Sequence, residues 1–409
     1  VRIVPGGRPD DPALTVDGHT WDHARLAREI DRRAADPGNQ LDARGSFLAA
    51  ALVNVFAAAA SGRPVLVGPA GPPPAAPIPP GAWLVATTSG STGRPRWVVR
   101  SERSWADSLP AFTALTGLGP TDTVALTGPV STTLHLFAAV HTLCLGAHLT
   151  DRPEAATAVH AVPTVLRSLL DLPTDAPLRR VVTAGAGLPA DLTHRIHTRG
   201  WDLVEYYGAA ELSFVAAGRP PGPLRAFPGA EIDIRDGEIW VRSPYLADGY
   251  LGLDRAGLGP GFEPGAGATG ALRRDATGFA TVGDHGVLVD GGLTVAGRGD
   301  TAITTGGATV LAEDIEAAVL AHPAVAEAVA VGTPSPRWGE LVTVVVRLHP
   351  DADPTGLRAA ARAALSPAAR PRRWLVAAEL PRTPGGKIAR GAVRDALRDG
   401  TPDWARPLP

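Results

Sequence analysis

The sequence predicts an α/β protein. A large N-terminal domain carries helix-covered, mostly parallel sheets and a small antiparallel β subdomain, and a small α+β C-terminal domain follows. Three observations predict this. Between Val65 and Tyr207, short apolar runs alternate with stretches of helical periodicity, the pattern of strands joined by crossover helices. Near residue 230 the pattern turns to short strands around tight turns. From Asp300, helix and strand signals restart as a compact unit. A chain of 409 residues allows two or three domains and a large core.

Residues 12 to 15 read as a short strand and Asp17-Gly18 as a turn. Trp21 to Ala35 has apolar residues at helical spacing (Trp21, Ala24, Ala27, Ile30). Phe47 to Ala60 is apolar all round and reads as a buried helix. Val65 to Val67 is a strand, the Pro-rich 69 to 81 a loop, and Trp83 to Ala86 a strand. Helices are expected at Ser101–Leu115, Leu134–Leu145, Pro163–Leu170 and Pro189–Arg199. Strands are expected at Thr123–Leu126, Val159–Val162, Arg180–Ala184 and Leu203–Tyr207. Asp236-Gly237 between Glu231–Ile234 and Glu238–Arg242 signals a hairpin. Residues 252 to 272 are Gly-rich, and Phe279 to Ala296 holds short strands. The last unit reads as helices at Ala312–Ala321, Leu357–Leu365 and Ala392–Arg398, with strands at Ala326–Val331, Val342–Leu348 and Arg373–Glu379.

Composition narrows the function classes. Net charge is −2, so the chain lacks the basic footprint of a nucleic-acid binder. The one cysteine, Cys144, excludes an internal disulfide and suits a reducing, cytoplasmic setting. Its apolar neighbours make it a core thiol rather than a nucleophile. VRIVPGG lacks the layout of a signal peptide, and the longest apolar run is too short to span a bilayer.

Two local features point to chemistry. The strand ending at Ala86 opens into TTSGSTGRPR (87–96), small hydroxyl and glycine residues closed by arginines. Backbone N–H groups and hydroxyls in such a loop can wrap a phosphate, and Arg96 adds charge. It is not a Walker loop, because no Gly-Lys-Ser/Thr closes it. Second, Lys387 is the only lysine; every other long basic side chain is arginine. Lysine offers a compact point charge that the guanidinium fork does not reproduce.

These stretches fall in one order with TAGAGL (183–188), YYGAAE (206–211), GEIWVRSP (237–244), TVGD (281–284), GRGDTAITTGGATVLAEDIE (297–316) and LPRTPGGKIAR (380–390). Together they resemble the adenylate-forming superfamily of acyl-CoA synthetases, peptide-synthetase adenylation domains and firefly luciferase. The size is similar to o-succinylbenzoate–CoA ligases. The resemblance implies an N-terminal domain over 1–298 and a mobile C-terminal domain over 299–409, with Asp300 at the hinge. It implies ATP-dependent joining of a small carboxylic acid to AMP, then transfer to a thiol. Coenzyme A is the default acceptor, and phosphopantetheine on an acyl carrier protein the alternative.

The same resemblance implies residue roles. Thr88, Ser89, Gly90, Ser91, Thr92, Gly93 and Arg96 would hold the ATP phosphates. Ala184, Gly185 and Ala186 would leave room for adenine, with Tyr207 stacking on it beside Gly208. Asp284 would accept the ribose hydroxyls, and Arg298 would contact ribose or phosphate. Glu211 would bind Mg²⁺, and Lys387 would bridge the substrate carboxylate and the α-phosphate. His135 is the nearest candidate for the acyl pocket.

The chain departs from the family pattern at three points. Ala210 stands where a threonine hydroxyl normally touches the α-phosphate. Arg96 stands where the loop usually ends in lysine. The part before the loop is short. Ala210 leaves open a reading from another class, a nucleotide-binding protein with little ligase activity.

Overall fold

The computed structural model describes residues 1–88, 96–251, 272–298, 302–305, 308–335, 337–383, 386–398 and 400–409. The predicted Gly-rich stretch therefore lies almost wholly outside the described residues.

A nine-stranded sheet forms the centre of the N-terminal part. Its six middle strands (Pro12–Val16, His148–Thr150, Thr123–Leu126, Ala158–Ala161, Arg180–Ala184 and Asp202–Ala209) run parallel, and antiparallel strands close both edges. A five-stranded sheet contains Leu41–Asp42, Val65–Val67 and Leu84–Thr87 in parallel, then Trp97–Arg100 and Gly249–Tyr250 antiparallel. A six-stranded antiparallel sheet is built on the Glu231–Arg235/Glu238–Arg242 and Asp284–Val289/Gly292–Arg298 hairpins. The last sheet is mixed: Arg373–Ala377 runs parallel to Gly339–Leu348, itself antiparallel to Val325–Ser335.

Three expectations are corrected. The first long helix runs from His23 to Ala35, not from Trp21. Asp22 accepts the Arg25 N–H at 2.6 Å and caps it, while Trp21 pairs with Leu14 in a β-hairpin. The single helix expected over 101–115 is two, Arg103–Ala106 and Leu109–Thr116. Pro110 lacks the N–H that a continuous helix would need and sits in the first turn of the second. Antiparallel pairing is not confined to the part after residue 230: His19–Asp22, Trp97–Arg100 and Ser213–Gly218 all pair antiparallel before it.

The core between the sheets is aromatic. Phe112 lies 5.2 Å from Phe137 and 4.9 Å from Phe214, and Phe214 lies 4.8 Å from Phe227. Helix Leu48–Ser61 is buried along most of its length, as its sequence requires. Cys144 is half-buried, and burial pushes its thiol up to about 12, so it is no thiolate at neutral pH. No helix among the described residues is long and apolar enough to cross a membrane.

Candidate active site

The carboxyl ends of the parallel strands set the site. Strand Arg180–Ala184 ends at Gly185, whose φ is +90°. A methyl group there would lie 2.5 Å from Lys387 Cε and 2.7 Å from its Nζ. Only glycine fits, on conformation and on space. Lys387 reaches this point on the 381–389 hairpin. Thr383 N–H donates to the Lys387 carbonyl (2.8 Å) and Ala389 N–H to Pro381 (2.7 Å). Arg382 fastens the hairpin: it donates to the Gly386 carbonyl (3.0 Å) and to Glu327 (2.6 Å), which also accepts from Arg347 (2.8 Å). A methyl on Gly386 would lie 3.8 Å from Val162 Cγ2, so the hairpin sits beside the start of helix Pro163–Leu169.

His135 shares this corner. It is buried, with Nδ1 2.9 Å from Thr132 Oγ1. Burial, and then the charge of Lys387, push its imidazole down to about 4, so it is neutral at pH 7.

Glu211 lies in the turn between Asp202–Ala209 and Ser213–Gly218. Ser213 takes a left-handed φ of +59°, and its carbonyl occupies the space a side chain at Gly208 would fill. Glu211 is buried, and its Oε1 accepts from the Tyr250 hydroxyl at 2.8 Å. Tyr250 packs under Arg96, whose guanidinium is 5.5 Å from the ring centre and hydrogen-bonds the phenol oxygen. Thr88 N–H donates to the Arg96 carbonyl at 2.9 Å, which draws the two stems of the 88–96 loop together. Residues 89–95, with Ser89, Gly90, Ser91, Thr92 and Gly93, lie outside the described residues.

Asp284 is buried at the start of its strand and accepts from the Tyr207 hydroxyl at 2.6 Å. Arg298 pairs with it across the hairpin through the backbone. Asp300 lies outside the described residues. Ala184 is buried at its strand end, while Gly185 and Ala186 are exposed.

Tyr250 and Arg100 were not legible as site residues in the sequence. Arg100 is 1% exposed. Its Nε and Nη2 donate to the Ala210 carbonyl (3.0 and 2.8 Å), and Nη1 donates to Ser104 Oγ (3.0 Å) and the Tyr245 carbonyl (2.9 Å). Burial pushes its guanidinium down to about 10, still charged at pH 7. One signal existed: an arginine closing the apolar run WVVR.

A phosphate-loop stem, two buried carboxylates and a lysine carried in on a distant hairpin converge at the ends of parallel strands, the layout of an adenylate-forming enzyme. The AMP-binding enzyme family model matches residues 22–251, and that of the AMP-binding enzyme C-terminal domain matches 314–387. YhfT of Bacillus subtilis, an uncharacterized acyl-CoA ligase, is 29% identical over 349 residues, 76% of this chain and 68% of that protein. The 2-succinylbenzoate–CoA ligase of Salmonella typhimurium is 31% identical over 322 residues, 75% of this chain and 67% of that one. ATP-bound MatB from Rhodopseudomonas palustris shares the fold, with a TM-score of 0.79 over 96% of both chains at 20% identity. The chain belongs to the AMP-binding enzyme family, and it is an AMP-forming acid–thiol ligase.

Proposed function

We propose that the chain activates a small carboxylic acid with ATP as its acyl-adenylate, releasing pyrophosphate, and passes the acyl group to coenzyme A. The observation that carries the residue assignment is the seating of the only lysine, Lys387, against Gly185. In this reading its ammonium bridges the carboxylate and the α-phosphate, offsetting the repulsion between two anions as they meet. Asp284, oriented by Tyr207, takes the ribose hydroxyls, and Tyr207, with Gly208 beside it, packs on adenine over Ala184, Gly185 and Ala186. Thr88 and Arg96 begin and end the loop around the phosphates. Arg298 serves ribose or phosphate. The chain divides at 298/299, with Asp300 the hinge about which the smaller part rotates between half-reactions.

Mg²⁺ fits the donor set. Among the described residues there is no cluster of three or more metal-ligating side chains. Glu211 supplies one buried carboxylate, and magnesium is commonly held by one or two carboxylates with substrate phosphates and water. When bound, the ion neutralises phosphate charge. Tyr250 and Arg96 hold the Glu211 carboxylate in place from behind.

The buried, neutral His135 beside Lys387 places an uncharged wall at the acyl end. The 2-succinylbenzoate–CoA ligase relative makes aryl acids the first class to try. Transfer to an acyl carrier protein is the alternative ending. Ala210, which has no hydroxyl for the α-phosphate, favours the rival reading of a nucleotide binder with weak ligase activity.

The test is carboxylate-dependent pyrophosphate release with MgATP over aryl, aliphatic and amino acids, with Lys387→Ala as control. Release with one class, reduced at least about a hundredfold in the variant, supports the proposal. Release unchanged in Lys387→Ala overturns the role of the lysine. ATP binding without release for any acid supports the rival. Coenzyme A or a phosphopantetheinylated carrier added to the productive mixture then identifies the acceptor.

A further inference from the structure

Arg100 is the largest fully buried side chain among the described residues. Burying a guanidinium costs several kcal/mol unless hydrogen bonds and opposite charge compensate. Its hydrogen bonds to Ala210, Ser104 and Tyr245 all end on neutral atoms. Only the five-donor guanidinium can make all four of these bonds at once. The charge has a counterpart, however. The charges of Glu211 and Asp248 both favour the ionised guanidinium. The two side chains flank one peptide unit: the guanidinium fork clasps the Ala210 carbonyl, and that carbonyl leads directly into Glu211. The next carbonyl, of Glu211 itself, is held by the Ala247 N–H at 2.8 Å. The turn is thereby fixed from two sides at the position where the family's threonine is replaced by Ala210.

We propose that Arg100 is a positioning residue for Glu211: its fork clamps the Ala210 carbonyl and so fixes the turn that aims the Glu211 carboxylate at Mg²⁺ on bound ATP. The inference rests on the assignment of Glu211 to the metal. The clamp acts on ATP with Mg²⁺ and leaves metal-free nucleotide binding alone.

The test needs no knowledge of the acid. Binding of a fluorescent ATP analogue to the whole chain is titrated against Mg²⁺, with binding in EDTA as reference, for the parent, Glu211→Gln, Arg100→Gln, Arg100→Lys and the Arg100→Gln/Glu211→Gln double variant. In Arg100→Gln the Mg²⁺ concentration for half-maximal binding should rise about tenfold, the scale of a lost charge-assisted hydrogen bond, with EDTA binding unchanged. Arg100→Lys keeps the charge without the fork and should shift about threefold. The double variant should be no worse than Glu211→Gln alone, because Arg100 acts through Glu211. If Glu211→Gln leaves the Mg²⁺ dependence unchanged, the metal assignment fails and the clamp fails with it. If Glu211→Gln shifts it and a folded Arg100→Gln does not, the clamp alone is overturned. Additive shifts in the double variant also overturn it. Should Arg100→Gln not fold, a folded Arg100→Lys with parental Mg²⁺ dependence overturns it equally.

Discussion

The Tyr207 hydroxyl donates to Asp284 Oδ2 at 2.6 Å, tying the strand that leads to Glu211 to the hairpin that contains Arg298. A phenol so engaged cannot turn freely, so the ring plane is set before nucleotide arrives. Tyr207→Phe keeps the ring and removes the bond. ATP binding should weaken about three- to tenfold, the worth of one typical hydrogen bond, with little change in melting temperature. Fluorescence titration checks this, and parental affinity would show that the bond does not orient the site.

Gly185 is the second point of constraint. Gly185→Ala puts a methyl 2.7 Å from Lys387 Nζ at a φ of +90°. The hairpin must retreat or the strand end must shift. Pyrophosphate release should fall at least about tenfold, while ATP affinity stays within about twofold, because geometry at the reacting centre is lost before binding is. A rate near that of the parent would mean that Lys387 approaches by another route.

Lys387→Arg keeps the charge and lengthens the side chain into a planar fork. The lysine tip already fills the space a Gly185 methyl would need, so the bulkier fork must be placed differently against that strand end. The variant should be nearly as slow in adenylation as Lys387→Ala, a result that charge alone cannot explain. Single-turnover pyrophosphate release distinguishes the two.

Glu327 carries a pH signature. Burial pushes its carboxyl up, but the hydrogen bonds and charges of Arg347 and Arg382 outweigh this and hold it below the usual glutamate range. A carboxyl lowered in the folded state contributes stability above its unfolded value and loses it as pH falls through the folded one. Glu327→Gln should therefore lower stability at pH 7 and be closer to neutral under strongly acidic conditions. Urea unfolding at several pH values measures the difference. Loss of the anchor for Arg382 should also slow adenylation, because that arginine fastens the lysine hairpin.

His160 makes a parallel case with a buried, unpartnered imidazole. Burial above all, with the charges of His135 and His141, pushes its imidazole down to about 3, and neither ring nitrogen has a hydrogen-bond partner. The unfolded chain takes up a proton near pH 6.5 and the folded chain does not, so stability falls with pH below that value, by about 1.4 kcal/mol per unit for one such group. His160→Leu should flatten this acid slope by one proton and cost little at pH 7.5. An unchanged slope would mean that another histidine controls it.

Much of this was legible in advance. The strand Arg180–Ala184 matches its predicted span because its β-branched and small residues Val181 to Ala184 end at a glycine. The hairpin around Asp236-Gly237 follows from turn chemistry, and Asp236 takes the left-handed φ of +49° that such a turn demands. The strand Trp97–Arg100 was missed, because its apolar run is short and its partner, Leu84–Thr87, lies across the phosphate loop. Pairings set by tertiary contact leave little trace in local pattern. Lys387, Glu211 and Asp284 stand out by residue type and motif. Tyr250 and Arg100 support Glu211 from positions far along the chain, and no spacing rule connects them. Only the folded backbone brings 100, 211 and 250 together.

The seating of Lys387 has a chemical corollary. An acyl-adenylate is a mixed anhydride and acylates free amines. The enzyme would generate it beside the only ε-amine in its sequence. Arginine, protonated throughout the working pH range, is a poor nucleophile, so the remaining basic surface is largely inert to any anhydride that escapes. Damage by its own intermediate would thus concentrate at one atom, and it would appear as a single added acyl mass accompanied by loss of adenylation.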